Sequence, residues 1–502
     1  MKRLYFTLVF LIFTKSLLFS KDYNILTFGA IPDGKTLNTT VIQSAINQAN
    51  KDGGGRVIIP TGNFLSGSII LKSGVELHLT KKATLLGSTK AEDYLKINRW
   101  KGLIMADNAS DIAISGKGTI NGQGAQLAMH IDSLFYIHKI DSIHYNFIEK
   151  RPKYYLRPQI IEIVNCENIK VTGVTIRNAA CWVQTYDLCK NLLIDRIRVE
   201  SDTYWNNDGI DIVDCKNVRI TNSTINSADD GICLKSSIAN NRTGTNYHGT
   251  NFCDSIYIEN CTIRSSASAI KLGARSVGGF KNITIKNIKV FDTFRSAIAL
   301  ESVDGGILEN ILIDNIRAIN TGNAIFIRLG HRIPSRDKGK LNNIVIKNVF
   351  AKIAFEKPDY AYTIRGPELP FFHNIFPSSI TGVPGAPIEN IQLDNIKIIY
   401  PGRGNSAFAN MPLSRVKDVP EQEINYPEFS MFGELPAWGF YIRHVDGLKM
   451  NNIKIKIKKP DYRPAFVIDD VRNSNLQSIY IGGDKKPEPF FLHQVENVKI
   501  IE

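Results

Sequence analysis

One phrase recurs through most of this chain: a turn residue, then Asn or a substitute, then alternating aliphatic residues, then Asn or Asp and more aliphatic residues. It reads ENIKVTGVTI from Glu167, KNLLIDRIRV from Lys190, KNVRITNSTI from Lys216 and DSIYIENCTI from Asp254. It continues as KNITIKNIKV from Lys281, ENILIDNIRA from Glu309, NNIVIKNVFA from Asn342 and ENIQLDNIKI from Glu389. Close copies stand 23 residues apart (Asn168 to Asn191) to 28 residues apart (Asn282 to Asn310), and longer intervals read as the same coil with a loop inserted. A period in that range is the mark of a solenoid. Alternation with period two makes each phrase a strand, and such a coil can bury its apolar side only against neighbouring coils. Dense β-branched residues and the lack of helical spacing argue against a leucine-rich or helical repeat. Asn at the bends suits a left-handed turn conformation or a side-chain ladder. The expected fold is therefore all-β, a right-handed parallel β-helix.

The chain of 502 residues is long enough for several domains, but a solenoid core grows without dividing, so residues 21–502 are expected to form one domain. Near its start, Val41, Ile42, Ala45, Ile46 and Ala49 form a helical stripe ended by Gly53, Gly54 and Gly55. A short helix there would cap the open N-terminal end and protect its edge. Loop insertions are expected near 123–157 and 400–440, rich in Pro and aromatics that include Tyr154, Tyr155, Tyr426, Phe429, Phe432 and Trp438. Aromatic faces on loops over a rigid scaffold suit sugar rings, and they suit ordinary packing equally well.

Residues 1–20 read as a signal peptide: Lys2 and Arg3, then an apolar run from Leu4 to Phe19 interrupted by Lys15. The run is short for a spanning helix, and no later segment is apolar for long enough to cross a bilayer. The expectation is an exported protein, secreted or periplasmic, without stable membrane insertion once the signal is removed. Seven Cys between Cys166 and Cys261, without zinc-like CxxC spacing, indicate neither a full disulfide framework nor a metal site. They are expected as small core residues or local bridges. The formal charge of +13 points to an acidic partner. Export, and Lys and Arg spread along the chain, favour an acidic polysaccharide over nucleic acid.

Two consecutive coils superimpose without gaps: NNDGIDIV at Asn206 to Val213 and ADDGICLK at Ala228 to Lys235. Asp208 then lies under Asp230, about 4.8 Å away along the axis. The register extends through ASAIKLG from Ala267, RSAIALE from Arg295 and GNAIFIR from Gly322. Ile210, Ile232, Ile270, Ile298 and Ile325 become one inward ladder. Two outward columns follow by alternation: Asp211, Cys233, Lys271, Ala299 and Phe326, then Val213, Lys235, Gly273, Glu301 and Arg328. Clustered carboxylates repel when ionised, so one should rise in pKa while another stays low, which separates a general acid from a base. Inverting glycosidases use such a pair with a water between. Spacing alone also allows Asn206, Asp208 and Asp230 to form a turn ladder or a calcium site.

These residues resemble glycoside hydrolase family 28, the polygalacturonases and rhamnogalacturonan hydrolases. NNDGID is similar to the family's Asn-Thr-Asp motif and ADDGI to its Asp-Asp motif. The resemblance extends to TFGAIPDGKTLNTTVIQSAI near the N-terminus, GTINGQG at Gly118 to Gly124, Arg157-Pro158 and NAACWVQTYDLCKNLLI from Asn178. It implies the same β-helix and an inverting hydrolase of pectin-like or related acidic polysaccharide, without metal or cofactor. Asp229 would protonate the leaving oxygen while Asp208 and Asp230 activate water. The family's Gly-His-Gly motif is here Ala267, Ser268 and Ala269, and its Arg-Ile-Lys motif, which holds a uronate carboxylate, is Ala299, Leu300 and Glu301. An ordinary polygalacturonase is therefore not expected. Asn206, Asp211, Lys235, Ser268, Lys271, Arg295, Glu301 and Arg328 are the candidate substrate contacts, with Lys271, Lys235 or Arg328 as displaced anion recognition. A β-helix polysaccharide lyase, using calcium and a basic side chain, and a non-catalytic glycan-binding β-helix are the alternatives.

Overall fold

Parallel pairing carries one aliphatic position from coil to coil along the axis: Ile169 against Leu192, Val218, Ile256, Ile283, Ile311, Ile344, Ile391 and Leu448 in turn. These residues are buried, and burying each such side chain contributes about 1.5–3 kcal/mol. The chain is a right-handed parallel β-helix. The computed structural model describes residues 21–237, 251–483 and 487–501, so the leader expected at 1–20 lies outside the described residues. No helix among the described residues is long and apolar enough to cross a membrane.

The helix Thr39–Lys51 buries Ile42, Ala45, Ile46 and Ala49 against the first coils. Its Gln43 accepts from the Ile70 amide at 2.7 Å and donates to the Ile70 carbonyl at 3.0 Å, occupying a strand edge that would otherwise be open. The repeated Asn residues do both things open to them. Asn282, Asn310 and Asn343 have φ of 56°, 58° and 55°, and Asn310 donates to Asn282 at 3.1 Å while Asn343 donates to Asn310 at 2.6 Å. All seven cysteines are buried and unbridged, which removes the local-bridge option. The sulfurs of Cys166, Cys189, Cys215, Cys253 and Cys261 meet backbone groups; Cys215 accepts from the Cys189 amide at 3.3 Å.

The two aromatic-rich stretches differ in content. Residues 123–157 contain a helix, Gly124–Tyr136, because Leu127, Ala128 and Ile131 share one buried face. Residues 400–440 hold one short helical turn, Leu413–Asp418, and otherwise form an irregular strap. That strap buries Val416, Val419, Phe429, Phe432 and Leu435 on Ala299, Phe326, Tyr441 and Val467. The latter four stand in one outward column, linked coil to coil through Ser379. The strap thus covers the outer face of the later coils and leaves the coils before them open.

Candidate active site

Strands Ile210–Val213, Ile232–Ser236 and Ile270–Ser276 stack in the register the sequence implies: Ile210 on Ile232 on Ile270, Asp211 on Cys233 on Lys271. The turns that lead into the first two strands carry Asn206, Asp208, Asp229 and Asp230. Gly209 and Gly231 follow the acids because a Cβ at either would meet backbone oxygen of the next coil, at 2.5 Å and 2.7 Å. Tight stacking of these turns brings the carboxyls of two coils into one cavity.

That cavity is about 320 Å³ and is lined by the three acids with Asn206, Lys235, Tyr154, Trp182, Ala274, Arg275, Arg332 and Tyr426. On one side it is walled by Trp182 and Tyr154, which pack with Trp100 and Cys181. On the other stands Tyr426, whose hydroxyl accepts from Lys271 at 3.1 Å. Of the aromatics singled out in the two loops, Tyr154 and Tyr426 face the cavity. Phe429 and Phe432 belong to the strap's apolar contact, Trp438 packs on Tyr400 in the main core, and Tyr155 lies against His144.

Each acid has a different set of neighbours. Burial raises Asp229, and adjacent Asp230 raises it further, against the pull of Arg295, so its carboxyl sits above the ordinary range. Burial also works against ionised Asp230, but Lys271 at 3.1 Å, with Arg295 and Lys235, outweighs it and holds this carboxyl below the ordinary range. The Ser268 amide donates to Asp230 Oδ1 at 3.1 Å, which favours the ionised form as well. Burial pushes Asp208 well up, opposed by Lys235, whose ammonium donates to Asp208 Oδ2 at 2.7 Å and also to Asp211. One ammonium serves two carboxylates there, and Asp211 is itself raised to about 6 by burial. Asn206 bridges toward Asp229 at 3.4 Å while accepting from Arg157 at 2.7 Å. Arg157 is fully buried and also donates to the carbonyls of Ala180 and Trp205, fixing the turn.

Several expected substrate contacts stand elsewhere. Asp211, 0 % exposed, lies beneath Lys235, and Lys271, 1 % exposed, lies beneath Asp230; both serve the acids and do not face the cavity. Ser268 is buried and reaches Asp230 through its backbone amide. Arg295 is engaged by Glu428 of the strap at 3.1 Å. Glu301 is buried near Lys271, and burial lifts its carboxyl to about 7. Arg328 is buried under the strap, donating to the carbonyls of Gly382 and Glu421. Of the three candidates for displaced anion recognition, Lys271 and Lys235 pair with the acids, Lys235 while also lining the cavity, and Arg328 holds the strap.

Sequence reasoning missed Arg275, Arg332 and Glu428. The gapless register ends at Gly273, because two extra residues enter between the pairs Leu234–Leu272 and Ser236–Ser276. Asp208, Asp230 and Cys233 lie close enough together to share a metal, with ligand atoms within 4.8 Å of one another. The donor set fits one poorly. Lys235 and Lys271 already compensate the two carboxylates, and burial pushes the Cys233 thiol well above its ordinary value.

The family model of glycosyl hydrolases family 28 matches residues 51–302. A probable polygalacturonase of Vitis vinifera is 27% identical over 326 residues, covering 61% of this chain and 57% of the relative, so the chain spans little more than half that relative's length. An exo-poly-alpha-D-galacturonosidase of Dickeya chrysanthemi is 24% identical over 452 residues, covering 82% of this chain and 70% of the relative. Among solved structures, the family 28 exopolygalacturonase of Yersinia enterocolitica aligns with a TM-score of 0.62 at 20% identity, over 96% of this chain and 78% of that one, a likeness of fold.

Proposed function

Because the chain belongs to glycosyl hydrolases family 28, we propose that it hydrolyses glycosidic bonds of a pectin-like acidic polysaccharide, with inversion, from a chain end. The observation that carries the chemistry is the sorting of acids within one cavity: Asp229 is held above the ordinary carboxylate range and Asp230 below it. In this reading Asp229 gives its proton to the leaving oxygen as the glycosidic bond breaks. Asp230 takes a proton from the water whose oxygen bonds to the anomeric carbon from the opposite face, and Asp208 orients that water. Lys271 keeps Asp230 ionised at the working pH. Activity should therefore fall in acid as Asp230 gains a proton, and fall in base as Asp229 loses one.

The chain-end assignment rests on the walls. A cavity of about 320 Å³ has room for about one or two sugar rings. The strap closes the face beyond it, and the Trp100, Tyr154 and Trp182 cluster closes the face before it. Relatives named for polygalacturonan support an acidic substrate, whereas Ser268, Ala299 and Glu301 at the family's basic positions argue for a different specificity. Export, to the periplasm or outside the cell, fits a polymer substrate.

The test is a panel of pectic and sulfated polysaccharides assayed for new reducing ends with wild type beside Asp229→Asn. Proton NMR would follow the anomeric configuration of the first product, and chromatography its size. Expected are release by wild type alone, inverted product, and early accumulation of short sugars; equal release by both proteins would sink the assignment.

A further inference from the structure

We propose that Arg275 is the anion-recognising residue of the cavity, the group that receives the carboxylate of the uronate seated there. The inference rests on the hydrolytic reading above and names the residue that gives the cavity its acidic specificity.

The cations that line the cavity are Lys235, Arg332 and Arg275, and the first two are spent on carboxylates. Lys235 is taken by Asp208 and Asp211, and Arg332 by Asp304 through two nitrogens, both at 2.8 Å. Outside the lining, Lys271 is taken by Asp230, and Arg295 by Glu428. Arg275 lines the same cavity and has no carboxylate partner among the described residues. Its recorded contacts are the Tyr154 hydroxyl, to which it donates at 3.3 Å, and the Trp182 ring, 5.7 Å from the guanidinium. A half-buried guanidinium held between a phenol and an indole keeps most of its five donors available, and its flat fork matches a carboxylate.

The backbone is bent to place it there. In a solenoid strand, residue 275 would continue the alternation; instead the strand bulges at Gly273 and Ala274. Gly273 has φ of 120°, and a Cβ there would come within 2.2 Å of the Glu301 carbonyl oxygen. Ala274 adopts φ of 51°, a left-handed conformation that brings the Cβ of an alanine too close to the following carbonyl oxygen. Bulges of this kind re-aim a side chain beside active sites, and strain of this kind persists where surrounding contacts enforce it. The enforcing contacts flank Arg275. Arg332 donates to the Ala274 carbonyl, and Asp304, which binds Arg332, accepts from the Ser276 amide at 3.0 Å. Both neighbours of Arg275 are therefore pinned by one part-buried ion pair, and the arginine itself is left for something else.

The test compares wild type, Arg275→Ala and Arg275→Lys on a short oligogalacturonide and on its carboxyl-reduced, neutral counterpart. Steady-state kinetics would be accompanied by calorimetric titration of both sugars into each protein and by thermal unfolding. Losing a charge-assisted pair should raise KM and Kd of Arg275→Ala for the acidic sugar on the order of tenfold to a hundredfold. Its kcat, its unfolding temperature and its affinity for the neutral sugar should stay within about twofold of wild type, or close to it for the temperature. Arg275→Lys should recover part of the affinity, since it keeps the charge and loses the fork. Equal losses on both sugars would make Arg275 a structural residue and overturn the proposal, as would unchanged binding of the acidic sugar. If wild type binds the acidic sugar through Arg275 without cleaving it, the hydrolytic reading fails alone. If wild type binds neither sugar, the proposal fails.

Discussion

The coils Gly279–Ser302 and Ile307–Leu329 and the coils that carry the acids are built on the same inward ladder and differ in almost everything facing outward. The first two are unbroken strands of 24 and 23 residues, paired from Gly279 and Ile307 to Ser302 and Leu329 with one irregularity. Their outward column holds Ala299 and Phe326, and the strap covers it. In the acid coils the matching strands are 4, 5 and 7 residues long, broken by turns and a bulge, and the column holds Asp211, Cys233 and Lys271. A solenoid asks only that one face of each strand be apolar, so the other face is free to be covered or to be charged. Where this chain keeps its repeat, the outer face is packing. Departures from the repeat put a charge into the cavity, as expected where local rules yield to function.

The contrast breaks first at the acids themselves. Asp229→Asn should lower kcat on the order of 10²–10⁴-fold with less loss of stability than Asp230→Asn, because burial and the neighbouring Asp230 already disfavour the charge that the amide removes. Asp230→Asn should lose activity to a similar extent and also destabilise the fold. It strips a buried ammonium, Lys271, of its 3.1 Å partner, and breaking such a pair typically costs about 3–5 kcal/mol. Denaturant unfolding of the two variants side by side decides it. Equal stabilities would mean that Lys271 finds another counter-ion and that the acids are not sorted as described.

The inward ladder, the stacking of Asp208 under Asp230 and the capping helix were legible because each follows from a period: two within a strand, about one coil between strands, and 3.6 in the helix. Arg275 was not, since two bulge residues after Gly273 throw off a register counted without gaps. The partners of Lys235, Lys271 and Arg328 are hidden from the sequence for another reason. Alternation says that a side chain leaves the core, but whether it then meets solvent, an acid or a strap depends on chain far away in sequence. Arg328, under a carbonyl of Glu421, shows how far. The helix Gly124–Tyr136 lies in a stretch whose aromatic content hides its period, although Leu127, Ala128 and Ile131 mark its buried face.

Glu301 tests the boundary between the two regions, since it stands in a regular coil beside Lys271 of an acid coil. Burial lifts its carboxyl from the ordinary 4.5 to about 7, and its Oε2 has no hydrogen-bond partner. Between those values the folded chain keeps a proton that the unfolded chain releases, so this residue lowers stability as pH rises through the window. Glu301→Gln should leave stability at pH 4 unchanged and raise it at pH 7 by about 1–3 kcal/mol. Paired denaturant curves at the two pH values measure it. Destabilisation at pH 7 would show that Glu301 is ionised and serves as a second counter-ion to Lys271.

The smallest effect belongs on the regular side. Asn310 is exposed, has φ of 58°, accepts from Asn343 and donates to Asn282. Asn310→Gly keeps the left-handed backbone accessible and removes only the side-chain amide, so the loss should be about 0.5 kcal/mol with kcat unchanged. Asn310→Ala removes the amide and also forces a Cβ into the left-handed region, adding about 1 kcal/mol. The difference between the two variants in thermal unfolding separates backbone geometry from the ladder. If Asn310→Gly lost as much as Asn310→Ala, the stacked amides would hold the coils in register. The regular coils would then depend on polar contacts outside their core, as the acid coils do.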